Sequence, residues 1–343
     1  MGSSDIKTKT TVKEFLIGGD ISSLGVMEQF GVVYRDNNVM GDLIQILTRY
    51  GMNCFRLRLF VNPEGRDLVV NDLLYTLDLA RRVKAVGAKL LLNFHYSDTW
   101  ADPGKQLKPK AWQGFSFFEL VQCVHDYTRE CLEVMAQNDV LPEFVQPGNE
   151  IINGFLWDDG RLDGSEIQWN KFVKLLSSAI AAIRKVSPNI GIVIHIDRSG
   201  DWQATRWFFE NLEQRGIDYD IIGLSYHPFW HGPMESLRKT LHYTAEHFRK
   251  PILIVETSAP NRPVWLPGPI EWEASPQGQK AFLKELIRTV KNTPYGLGMG
   301  VLWWFPEAVL TKKADIWCGG AMGLFDEHGN ALPALEAFVD SME

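Results

Sequence analysis

Residues 53–60 read Asn-Cys-Phe-Arg-Leu-Arg-Leu-Phe. Phe55, Leu57 and Leu59 alternate with Arg56, Arg58 and Phe60, so an extended chain here has one greasy face and one face carrying two guanidiniums. On a sheet closed into a barrel the greasy face meets an outer layer of helices and both arginines point inward. Two inward cations are costly without partners, and carboxylates at the barrel mouth are the natural ones. The bland alternative is an edge strand with solvated arginines.

Outward from this stretch the chain repeats strand, loop, helix. Strands are expected at Phe15–Ser22, Asn53–Phe60, Lys89–Tyr96, Glu143–Glu150, Gly191–Asp197, Asp220–His227, Pro251–Ser258 and Gly298–Phe305. Helical stretches fall between them, at Val39–Tyr50, Asn71–Val86, Ser116–Gln137, Gly164–Val186, Gln203–Arg215, Pro233–Phe248 and Ser275–Asn292, and a short helix from Pro333 closes the chain. Gly51 and Gly87 are helix stops, and Ser275-Pro276 is an N-cap and first-turn pair. Eight strands alternating with helices mean parallel strands joined by right-handed crossovers. In a chain of 343 residues this predicts an α/β fold of the (β/α)8 barrel class, one domain over residues 13–343 behind a tail at 1–12. An open doubly wound sheet would show a glycine-rich phosphate loop after its first strand, and Gly18-Gly19-Asp20 is not G-x-G-x-x-G.

A hydrophobic content of 45% with 22% charged residues is that of a soluble globular chain, and a net charge of −7 argues against nucleic acid as a partner. No stretch is long and apolar enough to cross a membrane. The polar start MGSSDIKTKT lacks the apolar core of a signal peptide and reads as a vector remnant or a trimmed mature N-terminus. Cys54, Cys123, Cys131 and Cys318 have no metal-type spacing. The middle two lie about 12 Å apart along one helix, too far to bridge, so four free thiols are expected. The 12 tryptophans are the unusual count. Trp100, Trp112, Trp157, Trp230, Trp265 and Trp317 fall in loop-like contexts, where exposed indoles suit stacking on a flat apolar sugar face.

Active sites of such barrels sit at the C-terminal ends of the strands. Polar residues expected there are Asp20, Arg56, Arg58, His95, Asp98, Asn149, Glu150, His195, Asp197, Tyr226, His227 and Glu256, with Trp303 or Trp304. Glu150 and Glu256 end the fourth and seventh strands, three steps apart on a ring of eight, so their side chains can approach each other across the mouth. Singly, either reads equally well as a helix cap or a surface ion pair. Together they suggest paired-carboxylate glycoside cleavage. One carboxyl must be protonated to release the leaving oxygen while the other stays ionised to meet the cationic sugar. A separation of about 5–5.5 Å gives retention, and about 6.5–9.5 Å gives inversion.

Six blocks carry a family resemblance: Gly19–Leu24 (GDISSL), Arg56–Leu59 (RLRL), His95–Pro103 (HYSDTWADP), Gly148–Ile151 (GNEI), Ser225–Gly232 (SYHPFWHG) and Val255–Thr257 (VET). In order and at barrel spacing, they resemble the arabinogalactan endo-β-1,4-galactanases of glycoside hydrolase family 53, within the large clan A of retaining barrels. The resemblance implies Glu150 as catalytic acid/base and Glu256 as nucleophile, with internal β-1,4-galactosidic bonds of pectic galactan or arabinogalactan side chains as target. It implies Asn149 on the sugar 2-hydroxyl and Arg56 or Arg58 keeping Glu256 ionised. His95, and either Tyr226 or His227, would contact the sugar, and Trp304 would floor it. Asp98, Trp100 and Asp102 would shape neighbouring subsites, and Trp230 would extend the cleft. Two departures line the mouth: His227 stands where relatives usually have Tyr, and Trp304-Phe305-Pro306 where they have Trp-Glu-Pro, with Glu307 one place late. These put galactan specificity in question. Other β-glycans (β-1,3- or β-1,6-galactan, glucan, mannan) remain alternatives within the class.

No cofactor is expected. Some relatives bind a structural calcium in the late loops, but residues 259–274 offer only Glu271 and Glu273 as acids, no obvious oxygen cage. The expected partner is a polysaccharide or oligosaccharide, with no nucleic acid or membrane, bound by a monomer. The expected location is secreted or periplasmic, with a cytoplasmic one left open. Rival readings are a non-catalytic sugar-binding barrel and a metal-dependent hydrolase using His95, His195 and His227.

Overall fold

The computed structural model describes residues 14–340, so the expected tail lies outside the described residues. Eight parallel strands form one closed barrel: β1 (Leu16–Asp20), β2 (Cys54–Leu59), β3 (Lys89–Phe94), β4 (Phe144–Pro147), β5 (Gly191–Ile196), β6 (Ile221–Tyr226), β7 (Ile252–Thr257) and β8 (Gly298–Trp304). Each strand pairs with its sequence neighbours, and β1 closes the ring on β8. Outside lie α1 (Leu43–Arg49), α2 (Leu73–Ala85), α3 (Phe117–Gln137), α4 (Glu166–Val186), α5 (Trp202–Gln214), α6 (Met234–Phe248) and α7 (Pro276–Lys291), with α8 (Glu336–Val339) at the end. This is a single-domain (β/α)8 barrel.

Most helices start where the sequence supplies a cap. Asp42, Asp72, Ser116, Ser165, Asp201 and Ser275 each accept the backbone N–H three residues on. The cap also explains one difference from expectation. Val39 and Met40 are not helical but pair with Arg35 and Asp36 in a small antiparallel ladder, and the helix begins only after Asp42.

The barrel interior is layered. Leu16, Cys54, Leu91, Phe144, Val193, Ile221, Leu253 and Met299, one from each strand, form an apolar floor. Two residues further along β2 to β5, on the same face, come Arg56, Asn93, Gln146 and His195, all buried. The outward faces, including Phe55, Leu57 and Leu59, join the core beneath the helices. Two register shifts break the alternation, in the β6–β7 ladder between Leu224 and Ser225 and in the β7–β8 ladder between Gly298 and Gly300. They matter above the floor, because each re-aims the side chains that follow it.

Candidate functional site

The polar layer is organised by Arg56. Its Nη1 donates to Asp20 Oδ2 at 2.9 Å, and its Nη2 lies 2.8 Å from Glu256 Oε1 and 2.7 Å from Asn149 Oδ1. Its Nε donates to Gln146 Oε1 at 3.3 Å. Alternation alone left Arg56 and Arg58 equivalent; the structure puts Arg56 on Glu256. Arg58 instead donates to Ser23 Oγ at 2.6 Å and Asn71 Oδ1 at 3.1 Å, sits 3.6 Å from Asp20, and lies 4.0 Å from the Trp100 ring centre.

Glu150 reaches the mouth by a turn, not at the end of a straight strand. β4 stops at Pro147, although the Gly148 N–H still bonds to Phe94 O at 2.9 Å. Gly148 then takes φ 98°, a conformation that favours glycine, and a Cβ there would meet Ile151 Cγ2 at 2.6 Å. Asn149 turns into the polar layer. Glu150 itself sits at φ 50°, a left-handed conformation strained for a side-chain-bearing residue, and its carboxyl lines the cavity. Glu256 arrives by register. Leu253 and Val255 belong to the interior floor cluster, so plain alternation would turn Glu256 outward. The shift in the β6–β7 ladder pairs it with Ser225, and it faces the same cavity.

The two carboxyls meet unequal surroundings. Burial, then the nearby charges of Glu256 and Asp197, push Glu150 well above the ordinary carboxyl range, against a hydrogen bond from Ser225 Oγ at 2.6 Å. Burial also raises Glu256, but the Arg56 guanidinium on its Oε1 opposes that rise. His95 accepts the Ala101 N–H on Nδ1 at 3.0 Å, which leaves its proton on Nε2. Burial and the two arginines hold it neutral, well below the usual histidine range.

The cavity, about 230 Å³, is lined by both glutamates, Asp20, Arg56, Arg58, His95, Asn149, Asp102 and His227, with Trp100, Trp230, Trp304 and Trp317 as aromatic walls. Trp304 and Trp317 meet edge to face at 4.8 Å, and Trp317 stacks on Trp230 at 5.7 Å. Trp304 and Trp317 are half-buried, and Trp230 at the end of the row is 56% exposed. The sequence reading flagged Trp317 only as a loop indole; the structure makes it the link between its neighbours. Trp112 is buried against Tyr127, and Trp265, although 83% exposed, does not line the cavity.

Several expected site residues lie elsewhere. Tyr226 is buried on the outer face of β6, stacked on Phe282 with its hydroxyl on Gly232 O, because Ser225 and His227 take the inner face. Trp303 likewise faces the helices, donating to Met322 O at 2.8 Å, and Trp304 is the indole in the cavity. Asp98 accepts the N–H groups of Asn62 and Lys110, tying two loops together, and lines a neighbouring groove of about 700 Å³ that also holds Trp157. His195 is fully buried under Glu150, and Asp197 pairs with Arg198 beside it; neither lines the cavity. Sequence reasoning passed over Asn93, Gln146 and Ser225. Alternation within KLLLNFHY, EFVQPGNE and DIIGLSYH puts all three on the inward face.

Among the described residues, no group of three or more His, Cys, Asp or Glu is placed to hold a metal ion. All four cysteines are free thiols, as expected. No helix among them is long and apolar enough to cross a membrane.

Glu307, which stands one place late at the end of the eighth strand, lies inside the fold. It is fully buried, accepts the Ser23 N–H at 2.9 Å through Oε1, and has no partner on Oε2 among the described residues. Burial, then the charge of Asp20, pushes its pKa up to about 8. The folded state therefore keeps a proton that the unfolded chain gives up above the ordinary glutamate pKa, so Glu307 costs stability as pH rises toward 8. Urea unfolding of wild type and Glu307→Gln should agree near pH 4. By pH 8 the variant should be the more stable by on the order of 4 kcal/mol.

Comparison with known proteins agrees with this geometry. The model of Glycosyl hydrolase family 53 matches residues 16–338. The arabinogalactan endo-beta-1,4-galactanase of Cellvibrio japonicus is 34% identical over 94% of this chain and 90% of its own length. The endo-beta-1,4-galactanase of Bacillus subtilis is 30% identical over 95% of this chain and 86% of its own. The solved GH53 catalytic domain of Ignisphaera aggregans superposes with a TM-score of 0.89 at 35% identity, covering 96% of this chain and 97% of that one. Like these relatives, the protein is a glycan-degrading enzyme: the chain belongs to glycosyl hydrolase family 53.

Proposed function

We propose that the protein is a retaining endo-β-1,4-galactanase acting on galactan and arabinogalactan side chains of pectin, with Glu256 as nucleophile and Glu150 as acid/base. The observation that carries this reading is the difference between the two carboxyls facing one cavity. Glu256 is ion-paired to Arg56 at 2.8 Å, whereas Glu150 accepts only a neutral hydroxyl and stands near the anion of Asp197. The first stays ready to attack the anomeric carbon. The second keeps its proton for the departing glycosidic oxygen, and its carboxylate then activates the water that releases the sugar. The named activities of the relatives support galactan as the substrate.

The remaining residues take supporting roles in the same reading. Asn149 uses Oδ1 on Arg56 and Asn93 and one Nδ2 hydrogen on Ala101 O, which leaves its second hydrogen for a sugar hydroxyl. His95 offers Nε2–H. Trp304, Trp317 and Trp230 offer a stacking row for successive rings. Of the two departures from the family pattern, only His227 lines the cavity; Phe305 packs on Trp304 and Glu307 is buried behind it. Any change in sugar preference should therefore trace to His227.

A reducing-sugar assay over purified plant polysaccharides should show β-1,4-galactan cleaved ahead of β-1,3- and β-1,6-galactan, glucan and mannan. NMR of the first product should show the β-anomer. Glu256→Ala should lower kcat roughly 10⁴-fold or more while thermal unfolding stays cooperative. Full activity in that variant, or an α-anomer from wild type, would end the proposal. Because the Asp197 charge raises Glu150, Asp197→Asn should move the basic limb of the kcat/KM profile to lower pH. Trp230→Ala should raise KM for polymer by roughly 3–10-fold with kcat nearly unchanged, as expected for the loss of one stacking contact.

A further inference from the structure

Beneath Glu150 the polar layer forms a directed chain of hydrogen bonds, and its direction follows from the one member that cannot reverse. Arg56 Nε lies 3.3 Å from one end of the Gln146 amide. A guanidinium only donates, so that end is the oxygen, and Gln146 Nε2 points away toward Asn93 Oδ1 at 2.7 Å, His195 Nδ1 at 3.0 Å, Gly148 O at 3.1 Å and Asn149 Oδ1 at 3.3 Å. Nε2 donates, so Nδ1 accepts. The backbone N–H of Glu150, 3.4 Å from the same nitrogen, demands the same. His195 therefore carries its proton on Nε2, which donates to Ser225 Oγ at 2.8 Å. The hydroxyl hydrogen of Ser225 is left for Glu150 Oε1 at 2.6 Å.

We propose that Gln146, His195 and Ser225 are positioning residues that place the acidic proton of Glu150 on Oε2, the carboxyl oxygen not engaged by Ser225. The proposal rests on the preceding reading of Glu150 as acid/base. A proton on Oε1 would have to be donated to Ser225 Oγ, where His195 Nε2–H already points, and the serine hydrogen would be stranded in a buried site. With Oε1 occupied, the proton can sit only on the oxygen available to a leaving group. The same cation thus acts on both carboxyls, on Glu256 directly and on Glu150 through three neutral side chains.

The groups around Glu150 leave this relay as its one neutral donor contact. The charges are Glu256 from β7, Arg56 from β2, and Asp197 with Arg198 from the loop after β5. His95 and His227 line the same cavity, while His195 and His231 lie behind it, all four held below the usual histidine range by burial. Removing Ser225 deletes a donor to the carboxylate and alters no charge, so the sign of its effect is defined: Glu150 should hold its proton to higher pH.

Nitrogen-15 NMR of histidine-labelled wild type should show His195 as the neutral Nε2–H tautomer from pH 5 to 8. Carbon-13 titration of glutamate carboxyls, with Glu150 assigned by Glu150→Gln, should show its midpoint about one pH unit higher in Ser225→Ala and restored in Ser225→Thr. In kcat/KM, Ser225→Ala should lose about 10-fold or more on galactan but less on an aryl β-galactoside with an acidic phenol, which leaves without protonation. An Nδ1–H tautomer, an unmoved Glu150 midpoint, or equal losses on both substrates would overturn the relay. If Glu150 titrates as stated but wild type leaves galactan intact, the relay stands and the substrate assignment falls.

Discussion

A single buried guanidinium holds the mouth of this barrel together. Arg56 is 1% exposed, and in that setting an unpaired cation would be very costly. Asp20 and Glu256 balance its charge, while Asn149 and Gln146 take its remaining donors. The dependence is mutual. Without Arg56, the buried Glu256 would lose its cation and Asp20 would keep only the longer 3.6 Å contact with Arg58, a loss of the size seen when buried pairs are broken, about 3–5 kcal/mol. The hub is therefore a condition for keeping these acids inside the barrel at all, before any question of catalysis arises.

Its asymmetric position then decides the electrostatics. Glu256 touches the cation and Glu150 does not, so two residues of the same type in one cavity differ in their hold on a proton. Burial raises both, and the contact with Arg56 separates them. Arg58, which alternation could not distinguish from Arg56, is drawn aside by Ser23, Asn71 and the face of Trp100. Two arginines on one strand face thus do different work. One sets the charge beside Glu256, and the other braces the wall where an indole closes the cavity.

The apolar side of the site has an equally simple cause. On β8, Met299 and Leu302 both face the interior, so the register slips once and Trp304, not Trp303, takes the inner face. Trp303 packs under the helices and Trp304 enters the cavity, where Trp317 and Trp230 continue the row toward solvent. A glycan chain lying on that row would meet polar side chains at the carboxyls and flat rings beyond them, the division of labour usual in binding clefts.

By itself the sequence determined the barrel class, the inward arginines, the helix caps and the two glutamates that come to line the cavity. These depend on local chemistry: period-two alternation, cap residues, and acids at the ends of apolar runs. Alternation also held the inward places of Asn93, Gln146 and Ser225, and would have excluded Tyr226. Only the tertiary structure decided which arginine meets Glu256, that Trp304 and not Trp303 lines the cavity, that Asp98 ties two loop backbones together, and that His195 lies beneath Glu150. It also decided the pairing of Glu256 with Ser225 and the left-handed turn at Glu150. Register shifts and backbone turns leave no periodic trace, because they arise from the closure of eight strands around a shared interior, and that closure exists only when all of them are in place.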